Sequence, residues 1–441
     1  MISRFKDFIK ISFVQDVSIL GTGKVFSIFL GAISSIVLAR LLQPELYGVY
    51  GLIFAFVGLV GIFMSWGGNF ASLSLLSEAY VKKDKQEVKN ILTYFVKVTL
   101  LAICIIGILS VFLAPFLTDL LYKNSQIGQW ARIILLSVFL GIIYNLLIIV
   151  LQATQRIKQL TILESFEKFI CSLLPIVFVF IGWGLVGLIW GHFISVFIFL
   201  ILAIFLYSFL IKKDKLLPSL RQIFSNFRKI EFGKYFNFGF LIAIDKNLGG
   251  FISLLPIIFL GIFAIPQEVA YFKIAFAYIT IPFMIMGSIS RLLNVQLPKS
   301  KTYGLSVLKN HFYKTAFYSG FISILLVVPF VVLAPYLIKF FYGEEYIQSI
   351  RLVYYLAIFT AFSGFGVGLG PFYRAVNKMK IPIIINICYT ILIILLIFIL
   401  IKFYNPIMAV ILSMIICANV FLFLHFYVIR NILKENENSI N

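Results

Sequence analysis

Asp245 and Lys246 stand side by side in Ala243-Ile244-Asp245-Lys246-Asn247-Leu248-Gly249-Gly250, inside an apolar segment long enough to span a bilayer. A charged side chain near the membrane centre costs roughly 2.5 to 3.5 kcal/mol on insertion scales, so such residues face a protein interior or a wet cavity. Adjacent helical positions diverge by about 100°, so the two charges cannot neutralise each other on one face. Each needs a partner elsewhere. Leu20-Gly21-Thr22-Gly23-Lys24-Val25-Phe26 places a second lysine at the same depth of the first long apolar segment, roughly 10 to 15 Å in by helical rise. Lys24 and Lys246 therefore read as equivalent points of two related halves, and their ammonium groups suit a polar, negatively charged substrate. Asp245 is either the counter-charge to Lys24 or a proton or sodium site coupling transport to an ion gradient. Lys273, Asn247 and Tyr271 are further candidates for contact with a hydrated substrate, and Gly249, Gly250 and Pro256 are hinge candidates where a helix is weakened.

The elements that must hold these residues follow from composition. The chain has 441 residues, 62% hydrophobic and 12% charged, which excludes an ordinary soluble domain and indicates a polytopic membrane protein. Residues 1–16 carry Phe5, Phe8, Ile9 and Phe13 among Arg4, Lys6 and Lys10, the pattern of an interfacial amphipathic helix. Six apolar segments then run at about 17–42, 47–77, 91–117, 131–152, 162–183 and 185–211, followed by a cytoplasmic linker at 212–235. Six more lie at about 236–263, 267–296, 312–338, 350–373, 381–403 and 406–429, before a tail at 431–441. The expected fold is all-α and integral to the membrane. It comprises about 12 transmembrane helices in two parallel six-helix bundles, 17–211 and 236–430.

Orientation follows from the basic residues. With both termini cytoplasmic, roughly 24 of the 37 lysines and arginines fall in inner loops and roughly 6 in outer ones. The formal charge of +20 is thereby assigned to topology and to attraction for anionic membrane lipids. No loop is long enough for a solvated nucleic-acid-binding domain. Cys104, Cys171, Cys388 and Cys417 share no metal-ligand spacing, so neither metal nor other cofactor is expected. Glu164, Glu167 and Lys168 read as a solvated margin where the fifth span begins. Gly364-Phe365-Gly366-Val367-Gly368-Leu369-Gly370-Pro371 lacks the strand and lysine of a phosphate loop and reads as close helix packing.

The chain is internally duplicated. Ala114-Pro115-Phe116-Leu117, leading to Leu121-Tyr122 and Arg132, recurs as Ala334-Pro335-Tyr336-Leu337, leading to Phe341-Tyr342 and Arg351. Gln155-Arg156-Ile157-Lys158 recurs as Asn377-Lys378-Met379-Lys380. An even number of spans separates matching points, so the repeats are parallel, with a cavity expected near the midplane.

Leu38-Ala39-Arg40-Leu41-Leu42-Gln43-Pro44-Glu45-Leu46-Tyr47-Gly48-Val49-Tyr50 resembles the signature of the polysaccharide transport family of flippases. That family is a branch of the multidrug/oligosaccharidyl-lipid/polysaccharide exporter superfamily and includes O-antigen flippases. Phe341-Tyr342-Gly343-Glu344-Glu345-Tyr346 and the six-plus-six layout agree. The resemblance implies a non-enzymatic transporter of the bacterial inner membrane. It would move a polyprenyl-diphosphate-linked oligosaccharide from the cytoplasmic to the outer leaflet by alternating access, with a polysaccharide polymerase as partner. It also implies basic residues in the cavity from the first and seventh spans, here Lys24 and Lys246. Two other readings stay open. A cation-coupled drug or metabolite antiporter of the same superfamily would lean on acidic cavity residues. A membrane glycan polymerase would need a large outer loop, and none here exceeds about 15 residues.

Overall fold

The computed structural model describes residues 12–230 and 233–438. Most of the expected amphipathic segment 1–16, and the last three residues of the tail, lie outside the described residues. The described chain is helical throughout. Helix α1 is Ser12–Met64, α2 Gly68–Val81, α3 Lys85–Tyr122 with a π turn at Ile103–Gly107, α4 Ser125–Ala153, α5 Ile157–Phe178, α6 Gly184–Lys213 and the short α7 Leu220–Ser225. Then come α8 Gly233–Phe263, α9 Pro266–Ile279, α10 Phe283–Thr302, α11 Leu305–Tyr342, α12 Gln348–Ser363, α13 Leu369–Ala375, α14 Lys380–Leu400 and α15 Pro406–Asn438.

Nine stretches of the described residues are long and apolar enough to cross a membrane. Two of them hold two expected spans each. Ser18–Met64 contains the first and most of the second, and Ile157–Lys213 contains the fifth and sixth. The eighth expected span is missing from the nine because it is broken into α9 and α10 at Thr280–Pro282. With it the twelve are accounted for.

The breaks have local causes. Gln43 leaves helical geometry at φ 60°, ψ 168°. Pro44 follows it, and a residue before proline is pushed out of the α region. The second span breaks at residues 65–67, where Gly67 has φ +80° and any Cβ on it would collide with the backbone of Gly239. In α3, Pro115 has no N–H for the carbonyl of Val111. Arg132 takes its place: Nε donates to the Val111 carbonyl at 2.7 Å and Nη2 to that of Phe112 at 2.9 Å.

The chain divides into two compact units. One is the chain up to Leu42 together with Ile53–Phe251; the other is Gln43–Leu52 together with Ile252 onward. This differs from a division at the 212–235 loop, and the reasons are visible in each unit. In the first, the loop is bound down. Lys97 Nζ donates to the carbonyls of Phe227 and Ile230 at 3.0 and 2.7 Å, Tyr207 donates to the Pro218 carbonyl at 2.8 Å, and Tyr235 donates to Glu87 at 2.6 Å. Asp214 accepts from Arg156 Nη2 at 2.9 Å and from the Tyr80 hydroxyl at 2.7 Å. Burial, and after it the Asp214 carboxylate, holds the Tyr80 phenol above its ordinary pKa. A core of Tyr94, Phe95, Leu146, Leu147, Phe199 and Tyr207 fills this unit. In the second unit, Gly48 lies so close to Pro266 that a Cβ would overlap the proline's carbonyl oxygen. The tip 43–52 is thereby seated on α9. Leu293, Leu308, Phe312, Phe372 and Tyr373 form a core of that unit.

Candidate functional site

In the first unit charged and titratable residues of α1, α5 and α6 lie within reach of one another. The first span approaches α5 closely: a Cβ on Gly23 would collide with Thr161 Cγ2, and one on Gly31 would stand 3.7 Å from Lys168 Cε. That contact brings Lys24 into electrostatic reach of Glu164. Helix α5 starts at Ile157, so Glu164 and Glu167 stand about two and three turns inside it, not at its margin. Glu167 accepts from Cys171 Sγ at 3.6 Å. The buried hydroxyl of Tyr144, on α4, has no hydrogen-bond partner and lies in the field of Glu167, Glu164 and Cys171. His192, on α6, meets the ring of Phe54 edge-on at 5.3 Å and interacts with Lys168.

The Asp245-Lys246-Asn247 run sits in the middle of α8. Lys24 and Lys246 both have exposed side chains, and Asp245 is half-buried. The pairing of Lys24 with Asp245 is not among the ion pairs of the described residues. Asn247 is committed to the backbone of the second span, where its Nδ2 donates to the carbonyls of Ile62 at 3.1 Å and Ser65 at 2.8 Å. Those carbonyls lie at the break, where the regular helical hydrogen-bond ladder ends and Ile62 accepts from the Ser65 N–H at 3.1 Å. Beside the break is a cavity of about 160 Å³ lined by Ser65, Trp66, Asn69, Thr99 and Asn145. Gly249 is exposed with open space where a Cβ would stand, and Gly250 rests 3.6 Å from Ile62. The unit boundary at Phe251/Ile252 falls between these glycines and Pro256, which deprives the Ile252 carbonyl of its helical donor.

In the second unit, Lys273 lies in an aromatic cage. Its Nζ is 3.7 Å from the ring centre of Tyr50 and 4.4 Å from that of Tyr47. Tyr47 meets Tyr346 at 6.4 Å, and Tyr346 meets Tyr271 at 6.2 Å and Tyr342 at 6.1 Å. The two tyrosine-bearing motifs noted in the sequence thus meet, the first holding Lys273 and the second packing against the first through Tyr47 and Tyr346. A cation over two ring faces is worth about 1 to 2 kcal/mol when desolvated, so the cage fastens the 43–52 tip to α9. Tyr271 also lines a polar cavity of about 450 Å³ with Glu268, Gln348, Arg351 and Asn405. The candidate residues therefore fall into two sets: Lys24, Asp245, Lys246, Asn247, Gly249 and Gly250 in the first unit, and Pro256, Tyr271 and Lys273 in the second. Glu164 and Glu167 are the additions that the structure makes.

Comparison with known proteins supplies the family. A family model described as "Polysaccharide biosynthesis protein" matches residues 37–351. No curated protein matches the chain. Among solved structures, an inward-facing multidrug resistance MATE transporter of the MOP superfamily is similar at TM-score 0.73 and 16% identity, over 92% of this chain and 96% of that one. The lipid II flippase MurJ in an inward closed conformation is similar at TM-score 0.73 and 16% identity, over 93% and 87%. A eukaryotic MATE transporter, AtDTX14, gives 0.65 and 16%, over 95% and 96%. At these identities the likeness is one of fold. The chain is a multi-pass, all-α membrane protein with the fold seen in MATE transporters and MurJ, and it belongs to the polysaccharide biosynthesis protein family.

Proposed function

We propose that the protein is a flippase that moves a polyprenyl-diphosphate-linked oligosaccharide, a repeat unit of O-antigen or another surface polysaccharide, from the cytoplasmic to the outer leaflet. The observation that carries this reading is the pair Lys24 and Lys246. Both are exposed lysines deep in apolar helices of a protein from a polysaccharide biosynthesis family. The diphosphate and glycan of such a substrate cannot cross hydrocarbon unaided, whereas its tail can remain in lipid. Ammonium groups accept a diphosphate in several poses, and Tyr271 and neighbouring polar groups can stand in for water around sugars. Lys273 serves by holding the 43–52 tip, and through it the start of the second span, on α9. Gly249, Gly250 and Pro256 let α8 bend as access alternates. Both termini are cytoplasmic, as the distribution of basic residues requires.

A cation-coupled exporter is the second reading, favoured by Glu164 and Glu167 inside α5 and by similarity to MATE folds. The two readings combine if those carboxylates, or Asp245, take up the driving proton or sodium ion. The test is export of surface polysaccharide in cells carrying Lys24→Ala and Lys246→Ala at matched protein level. The flippase reading expects lipid-linked repeat units to accumulate on the cytoplasmic side. Normal export in the double variant, with changed sensitivity to small cations on replacing Glu164 and Glu167, would favour the antiporter.

A further inference from the structure

A cavity within the second unit takes no part in the scheme above. It measures about 580 Å³, inside the range of about 300 to 1,000 Å³ typical of small-molecule sites. One wall is the glycine-rich run. Helix α12 stops at Ser363, a single 3-10 turn covers Gly364–Gly366, and α13 resumes at Leu369. The opposite wall is α10. Gly287 on α10 and Gly370 on α13 both face the cavity, and a Cβ on either would meet nothing within 4 Å. Those glycines keep the space open.

The polar groups around this space are biased. Arg374 is exposed, and its Nη1 donates to Asn294 Oδ1 at 2.9 Å, which fixes the guanidinium plane and leaves its other donors available. His425 Nδ1 is engaged by the Tyr373 hydroxyl at 2.9 Å, leaving the second ring nitrogen. None of the described lining residues is acidic. The duplication shows how this came about. The match of Gln155–Lys158 with Asn377–Lys380 is an offset of 222 positions, which sets Asn386 against Glu164 and Tyr389 against Glu167. Where the first unit has two carboxylates, the second has an amide and a phenol, both lining the cavity. A guanidinium lining a cavity with no carboxylate among its described lining residues favours an anion.

We propose that this cavity is an oxyanion site, with Arg374 as its anchor, that takes a carboxylate or phosphate group carried on a sugar. The planar donor fork of arginine matches either oxyanion bidentately. Asn386 and Tyr389 supply hydrogen bonds to ring hydroxyls, and Tyr389, 5.3 Å from Phe421, adds an aromatic surface. That the sugar belongs to the transported substrate rests on the proposed function; the anion preference does not.

The experiment is ligand-dependent thermal unfolding of the full-length protein in detergent, at constant ionic strength, with inorganic phosphate, glucuronate and glucose. At least one oxyanion should bind saturably and about tenfold more tightly than glucose. Arg374→Gln should abolish the difference, and Gly370→Leu should block binding by filling the cavity while leaving unfolding of the free protein little changed. Phosphate alone assigns the site to a phosphorylated group, and glucuronate alone to an acidic sugar. Equal binding of glucose, or binding that survives both variants, overturns the site and leaves export through Lys24 and Lys246 standing.

Discussion

The fifth span and the eleventh occupy matching places in the duplication, yet the first carries Glu164 and Glu167 and the second Asn386 and Tyr389. Both halves also break their second span, the one at residues 65–67 and the other at 280–282. The backbone plan was kept while the charge was not. The first unit gathers acids and lysines around α5, whereas the described lining of the cavity in the second includes Arg374 and no acid. A duplicated fold can thus vary the charge it presents in each half without changing its helices.

Replacing the charges should sharpen this comparison most. Glu164→Gln with Glu167→Gln is expected to lower transport at least about tenfold and to flatten its dependence on pH, read as rate against pH in vesicles. Asn386→Glu in the second unit should not restore it. Recovery there would mean that the halves are interchangeable. The matched arginines come next. Arg132→Met removes the donors from the Val111 and Phe112 carbonyls and should cost about 2 kcal/mol, seen as a lower unfolding midpoint in detergent. Its counterpart Arg351 faces the ring of Tyr355 at 5.9 Å, and Arg351→Met should cost no more than about 0.5 kcal/mol. Lys273→Met should cost about 1 kcal/mol, with Tyr50→Leu non-additive in a double-mutant cycle. Gly249→Ala acts in the opposite direction. Open space receives the methyl group, so stability should rise by about 0.5 to 1 kcal/mol. If α8 bends there, transport slows in the same protein.

Much of the fold was legible because span length and hydropathy are intrinsic to the sequence. The twelve expected segments map onto the helices, including pairs fused across Gln43 and around Gly182–Gly184. The breaks at 65–67 and 280–282 were not legible. At Gly67 the chain opens where Gly239, far along the sequence, approaches its backbone. The same limit applies to the site. Lys273 could be recognised as a membrane-embedded cation, but its tyrosine cage depends on residues more than 220 positions away. Glu164 and Glu167 looked marginal because hydropathy places the start of the span later than the helix itself, which begins at Ile157. The glycine run at 364–371 was seen as packing, and only the open space at its Gly370 and at Gly287 on α10 shows a cavity.

The central claim is tested most directly by reconstituting the protein in vesicles with a labelled polyprenyl-diphosphate oligosaccharide and measuring how fast the sugar becomes accessible to a glycosidase added outside. The account predicts protein-dependent exposure that Lys24→Ala with Lys246→Ala reduces at least about tenfold. Exposure at the same rate in empty vesicles, or at an undiminished rate in the double variant, would contradict it.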